Sequence, residues 1–166
     1  MTRTDTITAA LAQKAGQPAA ALHALGQLAE QITGARLVTL MTSDSTTREA
    51  QRIWSNMPDA YPVLGTKPMN DNNWSRIVLD QHQTFVANDI DAIAGVFDDH
   101  AQIAALGCAS VINLPVIVGG TVLGTINCLD AAGYFTPDRV AEADNLRLPA
   151  AAVFLLDRLQ KSQGAL

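Results

Sequence analysis

The feature that most constrains this fold is a pair of apolar segments joined by two glycines. Residues 108–118 and 121–130 are apolar at nearly every position, and Gly119-Gly120 lies between them. A two-residue glycine turn between such segments is typical of a β-hairpin. Because both segments lack a regular polar alternation, we expect both faces of the hairpin's sheet to be covered.

Two asparagines interrupt the apolar pattern of the predicted hairpin. Pairing Val118 with Thr121 across the turn sets the register and places Asn127 opposite Ile112. Side chains alternate between the faces of a sheet, so Asn113 and Asn127 are predicted to point to opposite faces. At most one of them would then line a given pocket, and a buried amide must either bond to the protein or reach a ligand.

The same register separates the two cysteines of the chain. It places Cys128 opposite Val111 and Cys108 opposite Ala131, and positions 128 and 131 point to opposite faces. Two cysteines in 166 residues are also too few for a disulfide framework. We therefore predict two free thiols.

Helical patterns flank the hairpin at both ends of the chain. Residues 4–33 have helical periodicity with an interruption at 16–18. The stripe at Leu22, Leu25, Ala29 and Ile32 serves either the internal core or a dimer interface with the C-terminal helix.

The C-terminal helix has a clear start signal. Thr136-Pro137-Asp138 supplies a cap residue, a first-turn proline and an early acid. Pro149 is predicted to kink or break this helix near residue 148. Beyond the break, Val153, Leu156 and Leu159 are predicted to point inward.

Shorter elements fill the region before the hairpin. We predict strands at 35–42 and at 49–54, the second as an edge strand, and then a loop over 55–70 without regular structure. Asp71 is predicted to cap a short helix, a strand follows at 84–87, and Asp98 or Asp99 caps a second short helix. This order indicates an α+β domain whose terminal helices cover one face of an antiparallel sheet. The short helices and the loop cover the other face, where a pocket would form.

Charge and composition exclude several classes of function. The net charge of −5 and the pI near 4.9, without any run of Lys or Arg, argue against a nucleic-acid partner. The start of the chain lacks the apolar stretch of a secretory signal. The nine-residue apolar run at 148–156 is too short to cross a membrane, which takes about 20 residues. These features predict a soluble, cytoplasmic protein without a membrane partner.

The hairpin and the segment after it resemble the GAF domain family. The family's pattern is an apolar-Pro-apolar strand, a turn, an apolar-Gly-apolar strand and then a Phe-Thr helix start. Leu114-Pro115, Leu123-Gly124 and Phe135-Thr136 match this pattern at the usual separations, and residues 73–89 resemble the family's central segment. The resemblance covers roughly residues 18–160, which we take as the domain, with a helical extension at 1–17 and a tail at 161–166.

The resemblance implies a sheet of about six antiparallel strands, a pocket on one face and dimerisation through the terminal helices. It does not imply one chemistry, because a fold does not determine a function. In cyclic-nucleotide-binding members three residues separate a Phe from an Asp-Glu pair, and at that spacing from Phe135 this chain has Arg139-Val140. Bilin-binding members need a thioether-forming cysteine in a context that neither cysteine here has.

Free methionine sulfoxide reductases are single GAF domains of similar length. With the two strands in register, their catalytic Cys position falls near Ala104, and their paired Asp positions fall on Asn127 and Leu129. Trp74 occupies the place of a resolving-type cysteine. The catalytic pattern of these enzymes is therefore missing, and Cys108 would replace it only if the loop slipped by several residues.

Aromatic residues around the long loop are candidates for ligand binding. Trp54, Tyr61 and Trp74 lie where a pocket lid would be, and aromatic faces there suit an apolar or cationic ligand. The alternative is ordinary packing of the loop on the sheet. The further candidates are Asp89, Asp99, Cys108, Ser110 and Asn127.

The leading hypothesis is a homodimeric small-molecule sensor or accessory domain whose output passes through a separate partner. The alternative is a thiol-dependent enzyme in the same pocket, with Cys108 as nucleophile and His100 as a nearby base. A third possibility is a structural dimer without a ligand. No cofactor and no metal are predicted, because no spacing of ligand residues resembles a metal site.

Overall fold

The computed structural model describes residues 3–63 and 65–164. The elements in chain order are α1 (Arg3–Ala12), α2 (Ala19–Thr33), β1 (Leu37–Asp44), β2 (Glu49–Ser55), β3 (Thr66–Pro68), α3 (Asn73–Ser75), a π-helical turn (Arg76–Asp80), β4 (Phe85–Ala87), α4 (Ile90–Ala94), α5 (His100–Ala105), β5 (Ser110–Val118), β6 (Thr121–Asp130), α6 (Pro137–Ala143), a 3-10 turn (Asp144–Leu146) and α7 (Arg147–Gly164).

The strands form one six-stranded antiparallel sheet in the order β3-β2-β1-β6-β5-β4. The β5–β6 hairpin lies inside the sheet, so both of its strands have neighbours on each side. The predicted α+β class and the expected strand number are confirmed.

The two faces of the sheet have separate cores. On one face α2 and α7 pack on the strands through a cluster that includes Leu25, Val38, Ile126 and Phe154. On the other face a smaller cluster under the short helices includes Val78, Ile93 and Ile103. The stripe at Leu22, Leu25 and Ala29 lies in the first cluster, so it serves the internal core. We call these two sides the helix face and the pocket face.

A bulge in the hairpin overturns the predicted register. Val118 pairs with Thr121 as expected, but the pairing shifts between Val116 and Ile117, and Val116 pairs with Gly124. One extra residue on β6 moves every later pair by one position. Asn113 therefore lies opposite Asn127, on the same face, and the prediction of opposite faces is wrong.

The prediction of two free thiols is confirmed despite the changed register. Cys128 pairs with Ile112 rather than with Val111 and lies in the core of the helix face. Cys108 lies in the core of the pocket face, across the sheet from Cys128. Both thiols are buried.

A second bulge, between β1 and β2, places Trp54 on the helix face. Leu40 pairs with Trp54, whereas Met41 pairs with Arg52, so Ile53 is the extra residue. Strict alternation would have placed Trp54 on the same face as Arg52. The Trp54 ring instead lies directly over Gly26 of α2, where even a methyl group would not fit.

The region before the hairpin contains more structure than the sequence predicts. β3 lies within the segment predicted as an irregular loop and pairs with β2, so β2 is not an edge strand. The first short helix is capped by Asn72 rather than Asp71: the Asn72 side chain accepts from the Ser75 N–H, and the Asn72 N–H donates to Ser75 Oγ. The helix α4 was not predicted, and the Asp89 side chain caps it by accepting from the Ala92 N–H.

The C-terminal helices begin as predicted, with Thr136 as the cap and Pro137 in the first turn. The break comes at the 3-10 turn before residue 147, and Pro149 lies in the first turn of α7, where a proline is tolerated. Val153 points inward as predicted, but Leu159 is 52% exposed, and that prediction is wrong. Residues 165 and 166 of the predicted tail and residues 1 and 2 of the predicted extension lie outside the described residues, and the domain boundaries stay predictions.

Helices long and apolar enough to span a membrane are absent from residues 3–63 and 65–164.

Gly124 offers a test of how the hairpin packs. A Cβ there would collide with the Met41 carbonyl oxygen and the Phe154 ring, so Gly124→Ala must displace β1 or α7. We expect this substitution to lower the free energy of unfolding by about 3 kcal/mol, a fall in Tm of about 6–12 °C.

Calorimetry on the purified variant measures this effect. Gly164→Ala is the matched control, because Gly164 is helical and a Cβ there meets open space. Equal Tm values for the two variants would contradict the packing described for Gly124.

Candidate functional site

A cavity of about 360 Å³ opens on the pocket face of the sheet. Its floor is formed by β1, β5 and β6, and its walls by the segment 67–74 and by residues 96–103. Apolar side chains of Leu37, Val111 and Leu129 lie on the floor beside polar ones. A concave, largely apolar site with a few convergent polar groups is the usual form of a small-molecule site.

A row of hydrogen-bonded side chains crosses this floor, and we call it the polar row. Trp74 Nε1 donates to Asn113 Oδ1 (3.0 Å), Asn113 Nδ2 donates to Asn127 Oδ1 (2.7 Å), and Asn127 Nδ2 donates to Thr39 Oγ1 (3.2 Å). Asn113 and Asn127 are 3% and 6% exposed. Burial of two amides is tolerated here because each one bonds to the next.

The indole of Trp74 determines the direction of the whole row. An indole N–H can only donate, so the oxygen of Asn113 must face Trp74 and its nitrogen must face Asn127. Each amide nitrogen carries two hydrogens. Among the described residues, only one hydrogen of each nitrogen is hydrogen-bonded. The second N–H of each amide and the hydroxyl hydrogen of Thr39 have no acceptor among the described residues, and all three side chains line the cavity.

The wall beside β2 carries a cation. Arg52 lines the cavity with its guanidinium carbon 4.8 Å from the centre of the Tyr61 ring. Its Nη1 donates to the Pro62 carbonyl oxygen (3.1 Å). Burial, as the main cause, lowers the pKa of the Arg52 guanidinium from its ordinary value, which reflects loss of solvation.

Tyr61 joins the loop to α5. Its hydroxyl donates to Asp99 Oδ2 (3.1 Å), whose carboxylate is therefore engaged rather than capping α5. Burial first, and then the charge of Asp99, raises the pKa of Tyr61 well above its ordinary value. Tyr61 accordingly stays a neutral donor at physiological pH.

Four of the candidate residues from the sequence meet at the cavity, namely Tyr61, Trp74, Asp99 and Asn127. The other four do not line it. Trp54 packs on α2, Asp89 caps α4, Ser110 donates to the Asp130 carbonyl oxygen, and Cys108 lies beneath the surface at 1% exposure.

The structure gives Cys108 little thiolate character. Burial, as the main cause, raises the pKa of the Cys108 thiol, and burial raises the pKa of Cys128 to about 12. The ring Nδ1 of His100 lies 3.1 Å from the Phe97 carbonyl oxygen, and no bond joins His100 to Cys108 among the described residues. A nucleophilic thiol requires the opposite environment, with a lowered pKa and access to solvent.

Sequence reasoning missed two residues of the site. Arg52 was missed because a lone Arg on a predicted edge strand is usually solvated, and the unbroken register allowed at most one of Asn113 and Asn127 to line the cavity. A third polar residue, Thr39, lies on β1 opposite Asn127. The only available signal was the presence of two amides in otherwise apolar strands.

Metal-binding geometry is also absent from the described part of the chain. No group of three or more His, Cys, Asp or Glu side chains there is placed to hold an ion. Asp98 and Asp99 line the cavity without a third ligand of this kind.

The chain matches the GAF domain family over residues 17–152. No curated protein matches it. The GAF domain of a phosphoenolpyruvate-protein phosphotransferase from Coxiella burnetii aligns with a TM-score of 0.72 and 15% identity, over 99% of this chain and 95% of that one.

Two further solved structures are similar in fold. The GAF domain of an Acinetobacter phosphoenolpyruvate-protein phosphotransferase has a TM-score of 0.68 and 10% identity, over 98% of this chain and 99% of that one. The GAF domain of a two-component sensor histidine kinase from Bacillus halodurans has a TM-score of 0.64 and 14% identity, over 86% of this chain and 95% of that one. At these identities the likeness concerns the fold.

The raised thiol pKa values predict slow chemistry at both cysteines. We expect Ellman's reagent to modify the folded protein more slowly than it modifies free glutathione at pH 7.5, because the thiolate is the reactive form. In guanidinium chloride, which unfolds the protein, both thiols should react at once with the reagent. The reaction rate of the folded protein should rise with pH. If one thiol of the wild-type protein reacts rapidly at pH 7.5 and the Cys108→Ser variant lacks this reaction, Cys108 is not a buried, protonated thiol.

Proposed function

The chain belongs to the GAF domain family, and we propose that it is a sensor domain that binds a small molecule in the cavity of the pocket face. The observation behind this proposal is the polar row, which leaves amide donors unused at the bottom of an open cavity. A purely structural module would fill this space with side chains, because protein interiors are close-packed. The Bacillus halodurans GAF domain belongs to a sensor kinase, which supports the same class of role.

The thiol-dependent enzyme has less support. Cys108 does not line the cavity, and its environment disfavours the thiolate. The residues that do line the floor are amides and hydroxyls held in fixed orientations, which suit recognition of a ligand. Output through a separate partner chain and a cytoplasmic location stay predictions.

We propose further that the protein is a homodimer in which α7 packs on α7 of a second copy. Leu148, Ala152, Leu155 and Leu159 follow a spacing of four, three and four residues, which places them along one side of the helix. The three leucines are 81%, 46% and 52% exposed, respectively. An apolar stripe with this spacing is typical of helices that pair with a second helix, and a second copy of α7 presents the same stripe.

Two single-tryptophan variants test ligand binding. Trp54→Phe leaves Trp74, whose indole is part of the polar row, and Trp74→Phe leaves Trp54 on the helix face. We expect a screen of small fragments to find compounds that change the fluorescence of Trp74 in the first variant and not of Trp54 in the second. A compound at 100 times its Kd should stabilise the protein by about 2.7 kcal/mol and raise Tm by about 5–11 °C.

Two results of the fragment screen would contradict the proposed binding site. If no fragment that fits the cavity raises Tm or perturbs Trp74, the sensor proposal is wrong and the structural alternative replaces it. If Trp54 responds as strongly as Trp74, binding occurs elsewhere.

Leu155→Glu tests the dimer. Burial of one leucine side chain stabilises an interface by about 1.5–3 kcal/mol. A symmetric dimer loses this contribution twice, once in each copy, so the dissociation constant of the dimer should rise about 100-fold or more. Light scattering after size-exclusion chromatography measures the change from dimer to monomer. Ala141→Glu, which adds the same charge at an exposed position of α6, should leave the dimer intact. A monomeric wild-type protein at micromolar concentration would overturn the proposal.

A further inference from the structure

The guanidinium of Arg52 is an unpaired cation on the wall of the cavity. No carboxylate among residues 3–63 and 65–164 forms an ion pair with it. Its Nε is buried and Nη1 donates to the Pro62 carbonyl oxygen, and in the described part of the chain neither Nε nor Nη2 has an acceptor. The buried Nε is closed to molecules from outside, so Nη2 is the donor that remains for an acceptor bound in the cavity.

Neighbouring side chains hold Arg52 at the cavity without forming an ion pair with it, although the negative charge of Asp99 acts on it from a distance. The Tyr61 ring lies against the guanidinium, and the Pro62 carbonyl holds one of its nitrogens. Asp99, the carboxylate that could have paired with it, accepts from the Tyr61 hydroxyl instead. The arrangement leaves Nη2 as the donor for a ligand in the cavity, and a carboxylate is an acceptor that a guanidinium binds strongly.

The rest of the cavity determines what else such a ligand must contain. The polar row offers amide N–H donors to a second acceptor, and apolar residues of the floor lie beside it. Trp74 and Phe97 meet edge to face at the wall, with ring centroids 6.2 Å apart. These groups suit a compact apolar or aromatic body.

The acidic residues of the cavity limit the ligand's charge. Asp98 and Asp99 both line the wall formed by α5 and the turn before it. A polyanion such as a nucleoside triphosphate would face these carboxylates, and like charges repel. One carboxylate bound at Arg52 meets less repulsion, because it carries a single charge that the guanidinium offsets.

We propose that the ligand of this cavity is a small organic monocarboxylate with an apolar body, bound through its carboxylate by Arg52. This inference rests on the proposed function, since it names the ligand class of the same site. It accounts for the missing ion pair of Arg52 and for the donors of the polar row together.

A pair of probes that differ in charge but little in shape tests this ligand class. Phenylacetate carries the carboxylate, and phenylacetamide replaces it with a neutral amide. In the Trp54→Phe protein, titration followed by Trp74 fluorescence gives the Kd of each. We expect phenylacetate to bind at least about tenfold more tightly, because hydrogen bonds between charged groups are stronger than those to a neutral amide.

Substitutions of Arg52 test whether this side chain causes the preference for phenylacetate over phenylacetamide. Arg52→Gln should remove the preference by weakening phenylacetate alone, and Arg52→Lys should retain part of it because the charge remains. Arg48→Gln is the matched control, since it removes the same charge from an exposed Arg that pairs with Asp71 and does not line the cavity. It should leave both Kd values unchanged. Tm values of the variants show whether each one is folded.

Several outcomes would overturn the inference. Equal binding of the two probes to the wild-type protein excludes a carboxylate site. An equal effect of Arg48→Gln and Arg52→Gln shows a general effect of charge. If neither probe binds while neutral fragments still perturb Trp74, the ligand class is wrong and the sensor proposal stands. If no fragment binds at all, both are wrong.

Discussion

The hydrogen bond between Asn113 and Asn127 is the interaction on which the rest of the pocket face depends. A primary amide buried without partners costs several times what a hydrogen bond contributes, so neither side chain can be buried alone. The bulge on β6 places the two opposite each other and on one face, where each satisfies the other. Without that one-residue shift, one amide would enter the apolar core beneath α7, and the cavity would lose half of its polar floor.

The floor of the cavity is part of the sheet, whereas its walls are loops and short helices. The floor belongs to three strands in the middle of the sheet, and the donor-only indole of Trp74 fixes the orientation of every amide in the row. The walls come from loops and short helices that meet through side-chain contacts, such as the bond from Tyr61 to Asp99. Fixed donors on a stiff floor favour selectivity, because a ligand must match their positions.

Much of the fold could be predicted from the sequence, and the reasons for the failures are physical. The hairpin, its glycine turn and the cap at Thr136 follow from local rules, and local rules determine them in the structure. The bulges cannot be predicted in this way, because they depend on contacts between distant residues such as Gly124 and Phe154. A single bulge reverses the face of every later residue. For this reason the sequence predicts that at most one of Asn113 and Asn127 lines the cavity, whereas both do. The second bulge likewise places Trp54 on the helix face, while Tyr61 and Trp74, which lie on segments outside the central strands, line the cavity.

The sheet that separates the cavity from α7 is a single layer, and this has a mechanical consequence. Asn113 faces the cavity, and its neighbour Leu114 packs in the core of the helix face, where Val153 and Phe154 of α7 also lie. One peptide bond therefore connects the floor of the cavity to the surface on which α7 rests. Because interiors are densely packed and compress little, a displacement of the β5 backbone by a bound molecule is transmitted to α7 without intervening residues.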